Sequence, residues 1–376
     1  MTEPTRDDER FMAAALRLAR RNVGFTSTNP SVGCIIVKNG TIVGRAVTAP
    51  GGRPHAEAQA LADAGEKARG ATAYVTLEPC SHHGKTPPCA DALIASGVAR
   101  VVVSVLDPDE RVAGRGVVML RDAGIAVDIG VLQRDGERVL EAYLMRQRMK
   151  RPHVTLKLAV SADGMIGRKG EGQVRITGAI SRAQVQVLRA ETDAILVGIG
   201  TARADDPELT VRLQGLEDRS PVRIVLDRRL DLPVGSKLVR SARTVPLIVV
   251  ATDADFLSFG GQQDEMAGRR GDHATRRAAL EAAGAEVLEA GSVADLLTAL
   301  ASRGISSLLA EGGARAARAF LDAGFVDRIL LFTGPAIIGE GGIPSPFDRK
   351  SVPAGFTLRR AARYGDDIFE DYERDI

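Results

Sequence analysis

The sequence predicts an α/β protein built as two unequal domains, and three observations carry that expectation. Short apolar runs alternate with stretches of helical period along the whole chain. At 376 residues, the chain is longer than the roughly 100–200 residues of a typical single domain. A basic helical stretch, 138–151, meets Arg151-Pro152 just before a fresh strand. That break marks a junction, so the expected domains are 1–150 and 151–376.

The elements follow in order. Asp8 to Arg20 carries Phe11, Met12, Ala15, Leu16 and Ala19 at helical spacing, an opening amphipathic helix. Val32 to Val37 and Thr41 to Val43 are strands joined by the tight turn Asn39-Gly40. His55 to Ala64 reads as a helix, Ala73 to Leu77 as a strand, Ala90 to Ser96 as a helix and Val101 to Leu106 as a buried strand. Strands that alternate with helices imply a largely parallel sheet. Beyond the junction, strands are expected at His153 to Val160, Asp193 to Val197, Val222 to Leu226, Leu247 to Val250, Ser307 to Leu309 and Ile329 to Phe332. Helices are expected at Ser181 to Glu191, Ala274 to Ala283, Val293 to Ser302 and Ala314 to Ala323. The polar, Gly-rich stretch Ser258 to Asp272 reads as a surface loop.

Composition narrows the function. A net charge of +2, 4% aromatics and no Trp argue against nucleic acid as the partner. The basic run after Leu144 is therefore read as a solvated helix face. No stretch approaches the ~18 apolar residues of a membrane span. The opening MTEPTRDDER lacks the apolar run of a signal peptide. Cys34, Cys80 and Cys89 are an odd number in a long chain, which fits a reducing compartment; the expected location is the cytoplasm. Cys34 is expected to be a small buried apolar residue.

The strongest constellation is Pro54-His55-Ala56-Glu57, then Glu78-Pro79-Cys80, then Cys89. A zinc site that does chemistry keeps three protein ligands and an open position, and His55, Cys80 and Cys89 supply three. Glu57, two residues after His55, is placed to face the site without binding and to carry a proton. Both ligand-bearing segments precede helices, so helix N-termini would favour the two thiolates. A structural zinc would want a fourth ligand, which only His82 or His83 could provide, and would not need Glu57. The pattern resembles the zinc deaminase signature, His-x-Glu followed by Pro-Cys-x-x-Cys, except that eight residues, Ser81 to Pro88, separate the cysteines.

That long spacing, with Asn29-Pro30-Ser31-Val32-Gly33 and Ser81-His82-His83-Gly84-Lys85-Thr86-Pro87-Pro88, resembles the bifunctional riboflavin-biosynthesis deaminase–reductase family. The resemblance implies a cytidine-deaminase-like three-layer fold for the first domain. It implies hydrolysis of the 2-amino group of a diaminopyrimidinone ribosylamine 5′-phosphate, with one zinc ion per chain held by His55, Cys80 and Cys89. Glu57 would be the proton shuttle, while Asn29, His82, Lys85 and Thr86 would contact the pyrimidine or the phosphate. Two positions depart from the family: Thr48 stands where a His is usual, and Asp109-Glu110 follows Asp107-Pro108 where Asn-Pro is usual.

In the second half, the residues alone give a strand running into Ser161-Ala162-Asp163-Gly164, a loop with Thr201 and Asp205-Asp206-Pro207, and Glu311-Gly312-Gly313 between a strand and a helix. Glycines there let backbone amides approach a phosphate at the positive end of a helix. No G-x-G-x-x-G fingerprint occurs, which argues against a Rossmann domain. In this order, the three places are similar to the family's dihydrofolate-reductase-like second domain, which uses NADPH to reduce the ribosyl group to ribityl. The resemblance implies cofactor contacts from Ala159, Thr201, Asp205 and the stretch Gly313, Ala314, Arg315, Ala316, Ala317, Arg318, Ala319. It implies that Arg189, Leu209, Arg212 and Glu311 hold the sugar phosphate. Lys157 would sit near the reacting sugar, unless it is only a snorkelling strand lysine. The family's Trp is missing; Arg175 stands in that segment and is a candidate for the 2′-phosphate of NADP.

The expected partners are thus a phosphorylated pyrimidine and further copies of the chain in a homo-oligomer, with neither nucleic acid nor membrane. Three alternatives remain at this level, of which a non-enzymatic zinc-binding module is disfavoured by Glu57 and the open ligand count; the other two are enzymes. One is a deaminase alone, with a catalytically silent C-terminal scaffold; the other is a polynucleotide deaminase, which the near-zero net charge disfavours.

Overall fold

The computed structural model describes residues 5–83, 87–252 and 270–375. The chain divides into two compact units, residues 1–150 and 151–376.

In the first unit, the helix Arg6–Ala19 opens with a capping box: Thr5 accepts from the Asp8 N–H at 3.1 Å and the Asp8 carboxylate accepts from the Thr5 N–H at 3.0 Å. Strands β1 (Gly33–Lys38) and β2 (Thr41–Val47) form a hairpin across Asn39 and Gly40, both at positive φ, as a two-residue turn matched to strand twist requires. With β3 (Thr72–Leu77), β4 (Arg100–Val105) and β5 (Ala126–Ile129), they make a five-stranded sheet of order β2-β1-β3-β4-β5. Strand β1 runs antiparallel to both neighbours, and only β3, β4 and β5 are parallel. The sheet is therefore mixed, not largely parallel, because the first two strands join without a helix between them.

Alternation along β1 sets the layers. Cys34 and Ile36 face the helices Ala56–Ala64, Cys89–Ser96 and Arg115–Asp122, whereas Ile35 and Val37 face Phe11, Met12, Ala15 and Leu16 of the first helix. A Cβ on Gly33 would lie 2.0 Å from the Ala15 carbonyl oxygen, and one on Gly44 2.2 Å from that of Ala60. Both layers thus rest directly on the hairpin. The basic stretch 138–151 is not one helix; Gln133–Val139 and Glu141–Met149 meet at the buried Leu140.

The second unit is built on a nine-stranded sheet of order β11-β10-β9-β8-β12-β6-β13-β16-β15. Its strands are β6 (His153–Val160), β8 (Ala194–Gly198), β9 (Val222–Leu226), β10 (Leu247–Thr252), β11 (Glu286–Ala290), β12 (Ser307–Glu311), β13 (Arg328–Thr333), β15 (Phe356–Tyr364) and β16 (Asp367–Arg374). The small strands β7 (Met165–Arg168) and β14 (Gly342–Pro344) pair separately. All pairs from β11 to β13 are parallel, and β16 and β15 close that side antiparallel. Of the expected surface loop 258–272, residues 258–269 lie outside the described residues, and 270–272 open the helix Arg270–Ala282.

One face of this sheet carries a continuous core: Leu156 and Leu158 of β6, Leu308 and Ala310 of β12, and the helices Val293–Ser302 and Ala314–Asp322 with Leu296, Leu300 and Phe320. The opposite face carries two separate clusters. One is built on Ile195, Val197, Val225 and Val249; the other on Leu330, Phe332 and Phe369 under Val185. Between them run β12 and β6, whose outward residues here include Glu311, Lys157 and Ala159. Strand β6 sends its connection, the helix Ala179–Ala190, to this face, while β12 sends the helix Ala314–Asp322 to the other. Adjacent parallel strands whose connections leave on opposite faces create a crevice at their carboxyl ends.

Candidate active sites

In the first unit, His55 is the N-cap of the helix Ala56–Ala64 and Cys89 is the first residue of the helix Cys89–Ser96. Cys80 follows β3, three residues beyond Leu77. Their ligand atoms lie within 4.8 Å of one another. His55 Nδ1 is 3.3 Å from Cys89 Sγ and 3.7 Å from Cys80 Sγ. Tetrahedral zinc, with Zn–S near 2.3 Å and Zn–N near 2.0 Å, sets neighbouring donors about 3.5–3.8 Å apart, so these three fit an open zinc site. Cys34 is fully buried in the core and is no ligand.

Only Cys89 sits at a helix N-terminus; Cys80 instead accepts the Cys89 N–H at 3.2 Å. Hydrogen bonds from Cys89 and His55 pull the Cys80 thiol down to about 4 against its burial. Cys89 moves the opposite way, because its proton is held between the two sulfurs in a buried site. Glu57 is buried on the first turn of its helix, and burial pushes its carboxyl up to about 7 although the nearby His55 opposes the shift. A carboxyl poised there can take up and release a proton at neutral pH.

These groups open onto a cavity of about 640 Å³. Asn29 and His82 line it, and among the described residues the buried Nδ1 of His82 has no hydrogen-bond partner. Lys85 and Thr86 lie outside the described residues. Thr48, also on the wall, accepts the Val32 N–H at 3.0 Å and so ties the cavity to β1. Asp109 accepts three hydrogen bonds from Arg111, two from the guanidinium at 2.9 and 2.6 Å and one from the backbone N–H at 3.0 Å. The wall also contains Asp107, which accepts the Tyr143 hydroxyl at 2.8 Å, and Arg146 and Gln147 from the helix Glu141–Met149. The stretch read as a solvated helix face therefore turns Tyr143, Arg146 and Gln147 toward the cavity. Their i, i+3, i+4 spacing was the available signal.

In the second unit, the carboxyl ends of β6 and β12 bring Lys157 and Glu311 opposite each other in register. Arg189 donates from Nε and Nη2 to both oxygens of Glu311 at 2.9 and 3.0 Å, and Lys157 Nζ is 4.0 Å from Oε2. All three are largely buried, so Arg189 is not the surface charge a helix position suggests. Desolvation pulls the Lys157 pKa down against the attraction of Glu311. Burial would raise the Glu311 carboxyl, but Arg189 and Lys157 hold it below its usual range. Ala159 shares the face of Lys157, opposite Phe332 of β13.

Thr201, on the helix Ile199–Asp205 after β8, packs against the diglycine after β12: a Cβ on Gly312 or Gly313 would lie 3.4 or 3.3 Å from its Oγ1. Both glycines have positive φ, 79° and 53°, which explains the residue type. Asp205 ends the same helix, and burial raises its carboxyl.

Three expectations need correction in detail. Ala316, Ala317 and Ala319 turn into the hydrophobic core, leaving only the start of that helix, with Arg315 and Arg318 exposed, to meet a ligand. The Leu209 side chain is also in the core, at a left-handed φ of 56°, so only its backbone can contact substrate. Arg212, expected at the sugar phosphate, is exposed and pairs with Glu208 at 3.1 Å. Arg175 is exposed beside the buried Ile176, whose carbonyl lies where a Cβ on Gly334, just past β13, would collide.

An open His/Cys/Cys metal site beside a buried glutamate, joined in one chain to a sheet crevice with a diglycine loop, defines a zinc deaminase fused to a nicotinamide-dependent reductase. Sequence comparison agrees for each half. Residues 5–105 match the cytidine and deoxycytidylate deaminase zinc-binding region, and 152–369 match the RibD C-terminal domain. The chain belongs to the RibD family of riboflavin biosynthesis proteins. It is 38% identical to the RibD of Aquifex aeolicus over 371 residues, covering 98% of each chain, and 40% identical to that of Escherichia coli over 344 residues, covering 89% of each. It is similar in structure to Acinetobacter baumannii RibD, with a TM-score of 0.83 at 34% identity over 98% of this chain and 99% of that one. The Thermotoga maritima diaminohydroxyphosphoribosylaminopyrimidine deaminase/5-amino-6-(5-phosphoribosylamino)uracil reductase gives 0.80 at 33% identity with the same coverage. The protein is thus a bifunctional enzyme, hydrolase and oxidoreductase, whose cofactors are Zn²⁺ and NADPH. Among the described residues, no helix is long and apolar enough to cross a membrane.

Proposed function

We propose that residues 1–150 deaminate a diaminopyrimidinone ribosylamine 5′-phosphate and that residues 151–376 then reduce its ribosyl group to ribityl. The observation that carries the first step is Glu57, buried beside three convergent zinc donors. His55, Cys80 and Cys89 would hold the metal, which when bound supplies a Lewis acid able to bring the pKa of water to about 7. Glu57 would accept a proton from the attacking water and return it to the departing amine. Asn29 and His82, with Lys85 and Thr86, would hold the pyrimidine or phosphate.

For the second step, NADPH supplies the hydride. Thr201, Asp205, Ala159 and the Gly313 to Arg315 helix start would hold the cofactor, with Arg175 toward the 2′-phosphate. Arg189, Arg212 and the Leu209 backbone would hold the sugar phosphate. Glu311, which repels phosphate, orients Arg189 and Lys157, and Lys157 can deliver the proton that accompanies reduction. A silent scaffold would gain nothing from this cluster, since burying two cations and a carboxylate costs several kcal/mol per ion before pairing. We further propose a cytoplasmic homo-oligomer.

The test is to supply the zinc-loaded chain with the diaminopyrimidinone substrate and NADPH. Ammonia release followed by matching NADPH oxidation is the expected result. Ammonia without NADPH oxidation, from either this substrate or the deaminated one, would refute the reductase half.

A further inference from the structure

Glu78 lies immediately before Pro79-Cys80, is 3% exposed, and plays no part in the chemistry above. Its carboxylate is nevertheless saturated. Oε2 accepts the backbone N–H groups of Asp107 at 3.2 Å and Gly114 at 3.0 Å; Oε1 accepts those of Gly116 at 3.0 Å and Val117 at 3.3 Å. Gly114 is the N-cap of the helix Arg115–Asp122, and it has no capping side chain of its own. The first N–H groups of a helix lack internal partners and favour a negative charge. Glu78 therefore caps that helix from another segment while also gripping the chain just beyond β4.

The fit is close in space as well as in charge. A Cβ on Gly116 would come within 2.1 Å of the Pro79 carbonyl oxygen, so the helix rests on the peptide that precedes Cys80. On its other side, Cys80 is held by the helix Cys89–Ser96, whose Ala90 N–H donates to the Cys80 carbonyl at 3.2 Å and whose Cys89 N–H donates to its sulfur at 3.2 Å. Pro79 fixes φ between these two anchors.

We propose that Glu78 is a positioning residue for the metal site: by collecting four backbone N–H groups, it locks the Pro79–Cys80 segment so that the Cys80 sulfur is presented to His55 and Cys89. This rests on the reading of His55, Cys80 and Cys89 as the zinc ligands. Groups that orient ligands from behind typically change metal affinity by about 10–100-fold when removed.

The experiment uses the full chain and measures zinc affinity by competition with a chelator of known affinity, alongside NADPH oxidation with the deaminated substrate as a control in the second unit. Glu78→Gln presents an NH₂ group to donors that Oε1 or Oε2 now accepts. It should lose zinc affinity by about 10–100-fold, regain deamination when zinc is added in excess, and keep NADPH oxidation unchanged. A merely structural role would lower the melting temperature of the chain while leaving the zinc affinity of the folded variant unchanged, since excess zinc also stabilises a weakened fold by mass action. Gly116→Ala, whose Cβ would press on the Pro79 carbonyl and come within 3.3 Å of Glu78 Oε1, disturbs the same anchor while keeping the carboxylate; it should lower zinc affinity in the same direction, and it decides the question if Glu78→Gln fails to fold. Zinc affinity within twofold of wild type in a folded variant would overturn the proposal. A wild-type chain that binds no zinc would overturn the ligand assignment itself, a separate result.

Discussion

The two units assemble their chemistry differently. In the first, the donors come from residues 55 to 89, and each stands at the end of a strand or the start of a helix, where the local backbone already fixes its direction. In the second, Lys157, Arg189 and Glu311 are brought together only when β12 inserts between β8 and β6. The first site is completed by a metal; the second is completed by the order of strands in a sheet. Its stability and its activity should therefore be harder to separate, because Glu311 neutralises two buried cations.

The largest effect that sharpens this contrast is metal removal. Stripping zinc should abolish ammonia release, while NADPH oxidation with the deaminated substrate persists; loss of both would mean that the units are not chemically separable. Next comes Gly312→Val. A β-branched side chain at a positive φ, crowding Thr201, should cost about 1–3 kcal/mol, read as a roughly 5- to 150-fold rise in KM for NADPH where that strain must be met on binding. The zinc site should be indifferent, and an unchanged KM would remove the diglycine loop from the cofactor site.

A smaller effect, about tenfold, is expected from Arg146→Gln if its guanidinium grips the substrate phosphate. The rise in KM should appear with the phosphorylated substrate and not with its dephosphorylated form. Equal losses with both would mean that Arg146 only holds the loop through its 2.9 Å hydrogen bond to the Thr28 carbonyl.

The smallest effect concerns stability alone. Burial would raise the Asp8 carboxyl, but Arg100, Thr5 and Tyr74 outweigh it and hold the group well below the usual carboxylate range. A folded-state pKa below the unfolded value of about 3.9 contributes stability above that pH and loses it as pH falls toward the folded value. Asp8→Asn should therefore lower the first unit's Tm by a few degrees at pH 7, with the gap to wild type narrowing below about pH 4. A gap independent of pH would contradict the ion pair's role.

The same contrast explains what could be read from the sequence. His55, Glu57, Cys80 and Cys89 are chemically distinctive and close in the chain, so their spacing alone announced a metal. Arg189 and Glu311 pair across 122 residues, which no local pattern encodes; only the family resemblance placed both at one site. Tyr143, Arg146 and Gln147 were hidden for a related reason: a helix face against a polar cavity has the same composition as one against water. The strands β15 and β16 were missed because β15, at the sheet edge, alternates poorly and carries arginines in an exposed pattern. Glu78 stood in plain view beside Pro79-Cys80, but the four N–H groups it collects come from residues 107 to 117 and needed the fold to be seen.

The most direct test of two complete and separate sites on one chain is NADPH oxidation by Glu57→Gln. Offered the diaminopyrimidinone substrate, this variant should oxidise NADPH at a rate lowered about 10²–10⁴-fold; offered the deaminated substrate, it should match wild type. Full NADPH oxidation from the diaminopyrimidinone substrate, or none from the deaminated one, would contradict the account.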